Sequence, residues 1–562
     1  MHFHELVAET FADTKNSLWP VFATELCLCA TILLMILVRV TKFGQYIPGG
    51  LMAAVGCGFA LYYSYPWTEG IAGRTEIFTG MLVYDEFTCF IRAILLGFTL
   101  LFILFTSLSG IPDSDTAVDF YCLILGSVLG MCLMASANHL MIVFMAVEMA
   151  SVPSYALAGL LKGRRKSSEA ALKYAIYGAG AAGIMLYGIS LLAGITNSAH
   201  LPTIAAQLSD ILPNATAGQQ SALFLAGLMI AVGLAFKLSA FPFHFWCPDV
   251  FEGASAEVNA FLSVASKAAA LALVLRIAIG VGFIPSESAE AVATGGDAAQ
   301  TKYVSDHADH GEDSAQTHEF DASVDPLQPV RTFVSLLVSV IAIVTCTFGN
   351  LAAYAQTNIK RLMAYSTIAH AGYMMMAIPA AITVASVDAN AARYAVSALG
   401  LYIAVYVFMN LVAFAIIAFL RNSTGSEEIS SYGGLVGRAP VVAVVFSLTL
   451  FSLVGLPPLA GFLGKFAIFA AIAQSYDLTG RLHLILLLIF GGLNTAVSLF
   501  YYLRVVKVMT IDPQPADMPE QGRLISNLGM AYVLALSVPI VTLLVYLQPL
   551  SEWTTAAASN LF

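Results

Sequence analysis

The chain has 562 residues, of which 59% are hydrophobic and 11% are charged, and its formal net charge is −10. Soluble domains carry about 25% charged residues, so the composition excludes an ordinary soluble protein. The acidic balance argues against a nucleic-acid partner. Apolar runs of about 20 residues recur along the whole length, which indicates a polytopic helical membrane protein rather than a barrel of short alternating strands.

The apolar runs predict an all-α integral membrane fold with about fourteen transmembrane helices. In chain order, the predicted spans lie near 18–40, 47–64, 88–108, 118–136, 139–160, 169–194, 221–243, 257–281, 331–350, 361–383, 394–420, 440–470, 484–506 and 526–547. The segment before the first span is polar and mixed in charge, so we expect that span to be retained rather than cleaved as a signal peptide. The eight cysteines form no CxxC pair, which favours buried thiols over a metal site.

Loop charge predicts the orientation of these helices. Lysine and arginine concentrate in alternate loops, most densely in the sequence KGRRK at 162–166, so both termini are predicted to face the outer side of the membrane. Residues 285–330 are polar, acidic and without apolar periodicity, which predicts a disordered or loosely packed outer loop. Its histidines match no known metal-site spacing, and a solvated loop is the favoured interpretation.

Proline interrupts two of the predicted spans. SAFPFHFW at 239–246 lies in the seventh span and VGLPPLAGF at 454–462 in the twelfth. Since the two are five spans apart, spans four to eight and nine to thirteen are predicted to form two inverted five-helix repeats with interrupted helices 7 and 12, a transporter architecture. The predicted units are 1–117 (three helices), 118–281 (first repeat), 282–330 (polar loop), 331–506 (second repeat) and 507–562 (last helix and tail).

Four ionisable residues lie near the middle of predicted spans: Glu148, Lys237, Lys267 and Lys465. Each such charge costs about 2.5–3.5 kcal/mol on insertion scales and marks function by default. The pattern predicts a proton path, because a lysine can exchange its proton with its surroundings whereas an arginine cannot at usable pH. The alternative is a static ion pair between Glu148 and one lysine, which three lysines and one carboxylate disfavour.

Two further residues are candidates for this path. Lys173 lies about two turns inside its span, where its side chain could reach the KGRRK side of the membrane. His370 lies roughly in mid-span, where an imidazole could relay protons, although a hydrogen-bonded core histidine is the alternative. Arg92, Arg276 and Glu25 lie nearer the span ends and are expected to be structural or interfacial.

The prolines fit the same scheme. Pro242, Pro457 and Pro458 each remove a backbone donor close to Lys237 or Lys465. Freed backbone groups at membrane depth are tolerated where protein or water satisfies them. We therefore expect each break to present polar backbone beside a buried lysine, with a simple packing kink as the alternative.

Three stretches resemble the subunit N family of NADH:quinone oxidoreductase, respiratory complex I. They are FKLSAFPFHFWCPDVFEGASAEVNAFLSVASKAAALALVLR (236–276), SSEAALKYAIYGAGAAGIMLYGISLLAG (167–194) and NIKRLMAYSTIAHAGYMMMAI (358–378), and the resemblance covers roughly residues 80–510. It implies a fourteen-helix antiporter-like fold with two inverted repeats, one proton channel per subunit and no redox centre in this chain.

The resemblance also implies roles for single residues. The channel residues of the family fall on Glu148 (fifth helix), Lys173 (sixth), Lys237 (seventh), Lys267 (eighth), His370 (tenth) and Lys465 (twelfth). The related subunit M has glutamate in the twelfth helix, and subunit L has a long lateral helix beyond its last span, so both comparisons favour N. Glu257 departs from the family, which usually has a small neutral residue or proline there; it is expected either to serve proton uptake or to lie at the surface.

The sequence thus predicts a proton-pumping subunit of complex I in a bacterial inner membrane. Flavin, iron–sulfur clusters and quinone are expected in partner subunits and no cofactor in this chain, with subunit M and a small K-type subunit as neighbours. The proton is expected to pass from Glu148 and Lys237 through Lys267 and His370 toward Lys465 and the outside. The alternatives are a subunit of an Mrp-type cation/proton antiporter or of a membrane-bound hydrogenase, and a purely structural anchor.

Overall fold

The computed structural model describes residues 11–15, 17–41, 47–64, 73–113, 116–161, 163–284, 325–515 and 524–562. Within these ranges the chain is a bundle of α-helices with one two-stranded antiparallel hairpin. Eleven helical segments there are long and apolar enough to cross a membrane, which confirms the polytopic all-α class. Most of the predicted outer loop, residues 285–324, lies outside the described residues.

The helices follow the predicted spans closely. They are α1 (Ala23–Val40), α2 (Gly49–Tyr63), α3 (Glu86–Ser109), α4 (Ala117–Ser136), α5 (Leu140–Ala158), α6 (Arg165–Thr196), α7 (Leu201–Ile211), α8 (Ala217–Leu238), α9 (Trp246–Gly253), α10 (Ala256–Gly282), α11 (Gln328–Ala353), α12 (Ile359–Met375), α13 (Ala377–Val384), α14 (Ala389–Thr424), α15 (Leu435–Arg438), α16 (Pro440–Val454), α17 (Ala460–Thr479), α18 (Leu482–Thr510), α19 (Asn527–Thr542) and α20 (Gln548–Ala558). The strands are β1 (Thr75–Ile77) and β2 (Leu82–Tyr84). Each predicted span overlaps one helix or two consecutive helices.

The two ends of the bundle differ in character. At one end, which we call the basic end, Lys166 at the start of α6 forms an ion pair of 2.7 Å with Glu252 on the short helix α9. At the other, the hairpin end, strands β1 and β2 pack over the bundle, and Asn138 donates to the carbonyl of Gly80 at 3.1 Å and to Glu76 at 2.9 Å. Helix α8 runs from the hairpin end toward the basic end, and α10 returns.

Three helical segments form the centre of the bundle. In α10, in α14 and in the segment Ile359–Val384, 94% of the apolar window is buried. A helix that is apolar on all sides is typical of such a central position. Because these segments carry Lys267 and His370, the predicted path residues on them lie deep inside protein rather than against lipid.

Other buried charges join helices. Glu25 and Arg92 form an ion pair of 2.6 Å between α1 and α3, and Arg276 on α10 donates to Asp85 at 2.6 Å. Glu257 is fully buried and pairs with Arg421 at 3.1 Å. The surface alternative for Glu257 is therefore wrong, because an arginine 164 residues along the chain neutralises it inside the protein.

Candidate functional site

The first helix interruption separates α8 from α9 and contains Pro242. Helix α8 ends at Leu238, and Ser239 then adopts a left-handed conformation with φ of 57°. The chain resumes a helix only at Trp246. Within the interruption, the backbone N–H of Phe241 donates to the hydroxyl of Thr345 on α11 at 3.0 Å. The break is thus tied to a helix of the predicted second repeat.

Two buried lysines meet at this interruption. Lys237 is 1% exposed and Lys267 is fully buried. The ammonium of Lys237 donates to the hydroxyl of Ser151 on α5 at 2.9 Å. The ammonium of Lys267 donates to the hydroxyl of Ser239 at 2.6 Å and points to the carbonyl of Lys237 at 3.4 Å. Lys267 therefore binds the open end of the helix that carries Lys237.

An aromatic side chain closes the same site. Trp246 lies under the ammonium of Lys267, 5.1 Å from nitrogen to ring centroid. Its indole N–H donates to the carbonyl of Phe236 at 3.1 Å, and its ring stacks on Tyr174 of α6 at 4.1 Å. Cation–π contact and the hydrogen bond together hold both sides of the interruption.

Glu148 lies one turn before Ser151 on α5 and is half-buried. Ser151, one turn later on the same helix, accepts the hydrogen bond from Lys237. Among the described residues, however, no ion-pair partner lies within 4.0 Å of the Glu148 carboxylate. The ammonium of Lys237 donates to Ser151 instead, so the described residues contain no direct Glu148–Lys237 ion pair.

The second interruption separates α16 from α17 and contains Pro457 and Pro458. Helix α16 ends at Val454, and Gly455 follows with φ of 90°. Lys465 on α17 is 3% exposed and donates to the carbonyls of Val454 at 2.8 Å and of Leu453 at 3.2 Å. A cation at the C-terminal end of a helix is stabilised by the carbonyls and the helix dipole.

His370 is buried in a cage of tyrosines. Its Nδ1 lies 2.7 Å from the hydroxyl of Tyr402, and its Nε2 lies 3.4 Å from the hydroxyl of Tyr502. Tyr502 in turn lies 2.5 Å from Ser366, and the ammonium of Lys465 lies 4.4 Å from the ring centre of Tyr373. The ring of Tyr373 also lies 6.0 Å from the imidazole of His370 between centroids, so Tyr373 links the imidazole to the second interruption.

Several groups of this site escaped sequence reasoning. The tyrosines lie in apolar runs. The one signal for them is that a buried hydroxyl group needs a hydrogen-bond partner. Ser266, next to Lys267 in the chain, and Asn410 on α14 each have a buried polar atom without a partner among the described residues. Such atoms favour bound water.

Lys173 lies apart from the other predicted path residues. Its side chain is 35% exposed at the basic end and forms ion pairs with Asp249 at 2.7 Å and Glu169 at 2.9 Å. Glu252, beside Asp249 on α9, pairs with Arg361 at 2.7 Å. Burial works to raise the pKa of Glu252, but hydrogen bonds from Lys166 and Arg361 keep it below its usual value. The basic end thus holds a network of ionised carboxylates and cations.

Comparison with known sequences gives consistent matches. The family described as "NADH:quinone oxidoreductase/Mrp antiporter, TM" matches residues 137–289 and 322–491. NADH-quinone oxidoreductase subunit N of Anaeromyxobacter sp. (strain Fw109-5) is 35% identical, with 97% of both chains covered. NADH-quinone oxidoreductase subunit N 2 of Sorangium cellulosum is also 35% identical, covering 96% of this chain and 97% of that one.

Comparison with solved structures supports the same fold. A chain of respiratory complex I from Thermus thermophilus with bound aureothin superimposes with a TM-score of 0.66 at 26% identity, covering 94% of this chain and 98% of that one. A chain of the Mrp complex from Dietzia sp. DQ12-45-1b reaches 0.72 at 19% identity over 96% and 97% of the two chains, which shows the fold alone. On the sequence matches over almost its entire length, the chain belongs to the NADH-quinone oxidoreductase subunit N family.

Proposed function

We propose that this chain is the proton-translocating subunit N of an NADH:quinone oxidoreductase and couples electron transfer in other subunits to proton transport. The observation that carries the proposal is the pair of helix interruptions, each with a fully buried lysine bound to the freed end of a helix. Burying an ammonium group at membrane depth costs free energy, and such groups mark a functional site by default. The names of the relatives supply the reaction that would drive them.

The first proton carrier is Lys237. Its ammonium donates to the hydroxyl of Ser151, and Glu148 lies one turn earlier on the same helix as Ser151. A movement that brings Glu148 closer or takes it away changes how firmly Lys237 holds its proton. Lys267 acts next, because its ammonium contacts the very peptide that carries Lys237.

From Lys267 the proton moves to the second interruption. Water at Ser266 and Asn410 would bridge toward His370, whose two ring nitrogens each face a tyrosine hydroxyl. An imidazole can accept a proton on one nitrogen and release one from the other. Lys465 is the last carrier and would release the proton toward the outside, in the direction that the loop charges predict.

Proton uptake is assigned to the basic end. Lys173, Glu169 and Asp249 are exposed there and form one ion-pair network. Carboxylates at a membrane surface concentrate protons and exchange them with bulk water. We assign Lys173 to this uptake network, with the basic end in the cytoplasm and both termini on the outer face of a bacterial inner membrane.

The partners follow from the same assignment. Subunit M and a K-type small subunit are the proposed neighbours, and flavin, iron–sulfur clusters and quinone are proposed to lie in other subunits. Within the described residues, no group of three or more histidine, cysteine, aspartate or glutamate side chains is placed to hold a metal ion. The chemistry proposed for this chain is proton transfer between its own side chains.

The test begins with the assembly. Tagged chain is purified in mild detergent from native membranes, the intact complex is separated on a native gel, and the gel is stained for NADH oxidation. A large NADH-active band with flavin and iron–sulfur partners supports the proposal. A band without NADH activity that contains other antiporter-like subunits would move the assignment to an Mrp-type antiporter or a membrane-bound hydrogenase.

The second step tests the carrier. The Lys237→Ala complex is reconstituted into liposomes, and NADH-driven acidification is measured beside NADH oxidation. Loss of a positioned proton carrier should lower pumping by about tenfold or more. The matched control is Lys507→Ala, which removes a lysine that is 62% exposed. Equal pumping in the two variants would contradict a carrier role for Lys237.

A further inference from the structure

An apolar cleft lies among helices α6, α7, α8, α10 and α11. Its volume is about 460 Å³. Leucine, isoleucine, valine, phenylalanine, alanine, glycine and proline line it, and Gln220 at the hairpin end is the polar residue of the lining. Phe224 on α8 and Phe333 on α11 approach each other there, with ring centroids 5.2 Å apart. An apolar cavity of this size does not hold ordered water but is within the range of ligand pockets.

The cleft extends across about half of a bilayer. On α8 its lining runs from Gln220 near the hairpin end to Leu234, three residues before Lys237. At 1.5 Å per residue this is roughly 21 Å. One leaflet of a bilayer contributes about 15 Å of hydrocarbon. The cleft therefore begins near the membrane surface at the hairpin end and stops close to the bilayer centre.

The shape of the cleft selects among possible occupants. Even all of the empty space up to its open face, about 1450 Å³, gives a mean cross-section of no more than about 70 Å² over that length. An α-helix with side chains is about 10–12 Å wide and needs about 80 Å² or more, so neither a helix of this chain nor one of a partner fits. An extended polypeptide would leave its backbone polar groups unpaired against apolar walls. A single extended hydrocarbon chain satisfies both limits.

We propose that this cleft binds one acyl chain of a membrane phospholipid that enters from the leaflet at the hairpin end. Glycine at 227 helps to form the cleft, because a Cβ atom there would lie 2.8 Å from the ring of Phe333. The bound acyl chain would fill the space between α8 and α11 on the hairpin side of the first interruption. It would thereby keep water of that leaflet away from Lys237 and Lys267, a consequence that rests on the proposed function.

The test uses a photoactivatable phospholipid. The intact complex is placed in nanodiscs of phosphatidylethanolamine and phosphatidylglycerol that contain a small fraction of phosphatidylethanolamine with a diazirine near the end of one acyl chain. After illumination, the cross-linked peptides are located by mass spectrometry. We expect cross-links on the cleft sides of α8 and α11 around Leu234 and Val338. Ala231→Phe, which fills the cleft, should lower them several-fold.

The control is Leu225→Phe, which places the same aromatic side chain on the same helix at a position that is 48% exposed and outside the lining. Its cleft cross-links should match those of the parent complex. If Ala231→Phe does not assemble, Val338→Phe closes the cleft from α11. Cross-links confined to outward side chains such as Leu225, or cleft labelling that is unchanged by filling, would overturn the proposal. Binding is read independently of pumping, so its failure would leave the proton path standing.

Discussion

In the interruption at residues 239–245 the end of the preceding helix is bound by a lysine from a helix further along the chain, whereas in the interruption at residues 455–459 it is bound by a lysine from the helix that directly follows the break. Lys267 of α10 reaches the end of α8, while Lys465 of α17 reaches back to the end of α16. The first arrangement joins two lysines, because the captured helix end carries Lys237. The second joins a lysine to an imidazole. In the proposed path, the first break would pass a proton between two lysines on different helices, and the second would hold the last proton carrier.

The residue that follows each helix end also differs between the two breaks. Gly455 takes the left-handed conformation at little cost, and Ser239 takes it in spite of its side chain. The hydroxyl of Ser239 explains the exception, since it accepts the hydrogen bond from Lys267 at 2.6 Å. At the second break the hydrogen bonds of the lysine go to two backbone carbonyls, and no side chain is needed at the turn.

The largest expected effect comes from Lys267→Arg and Lys465→Arg. Arginine keeps the positive charge and the hydrogen-bond donors at each helix end but does not release a proton. If both lysines carry protons, each variant should assemble, oxidise NADH and lose pumping by about tenfold or more. NADH-driven acidification of proteoliposomes measures this, with Lys507→Arg as the exposed control. A variant that still pumps would show that its lysine only binds the helix end and does not carry a proton. The other lysine would then be the one proton carrier of the two.

Next in size is Gly455→Ala. With φ of 90° the new residue is strained, and its Cβ would lie 3.0 Å from Cδ of Lys465. We expect a loss of about 1–3 kcal/mol in stability together with lower pumping, because Lys465 is displaced. Thermal unfolding of the purified complex measures the first effect. Gly492→Ala is the control, since a Cβ there meets nothing within 4 Å; equal melting temperatures for the two variants would show that the second break tolerates a side chain.

The lysines and the breaks were predictable because they violate the apolar pattern. A charge or a proline in a run of about 20 apolar residues is visible without any knowledge of neighbours. Lys237, Lys267 and Lys465 are indeed buried, and Pro242 does lie between two helices. Their roles as proton carriers stay predictions.

The partners of these residues were not predictable, because they come from distant parts of the chain. Ser151 precedes Lys237 by 86 residues, and Asp249 follows Lys173 by 76. A serine in an apolar run is common and carries no signal of its own. Lys173 shows the same limit: its side chain reaches the basic end, as its position in the span allowed, but its partner Asp249 on α9 could not be read from the sequence.

A smaller effect separates Ser239→Gly from Ser239→Ala. Both remove the hydroxyl that accepts from Lys267, so both should lower pumping by a similar factor of a few, by weakening the position of one ammonium donor. Glycine also relieves the left-handed strain, so the glycine variant should be more stable than the alanine variant by about 1 kcal/mol. Pumping and thermal unfolding are measured on the same preparations. Full pumping in both variants would mean that Lys267 does not need the hydroxyl of Ser239.

The smallest effect compares the aromatic rings beneath the two ammonium groups, in Trp246→Phe and Tyr373→Phe. Both variants keep a ring for the cation. Trp246→Phe also removes one of the two donors to the carbonyl of Phe236, which keeps the N–H of Ser239, at a cost of about 0.5–1.5 kcal/mol. Tyr373→Phe loses one hydroxyl that accepts from Asn350 at 3.0 Å, and Asn350 keeps contacts with Asn494. We therefore expect a measurable fall in melting temperature and pumping for Trp246→Phe and almost none for Tyr373→Phe. A larger loss of stability and pumping for Tyr373→Phe than for Trp246→Phe would contradict this expectation. It would show that the hydroxyl of Tyr373 matters more for Lys465 than the indole N–H of Trp246 matters for Lys267.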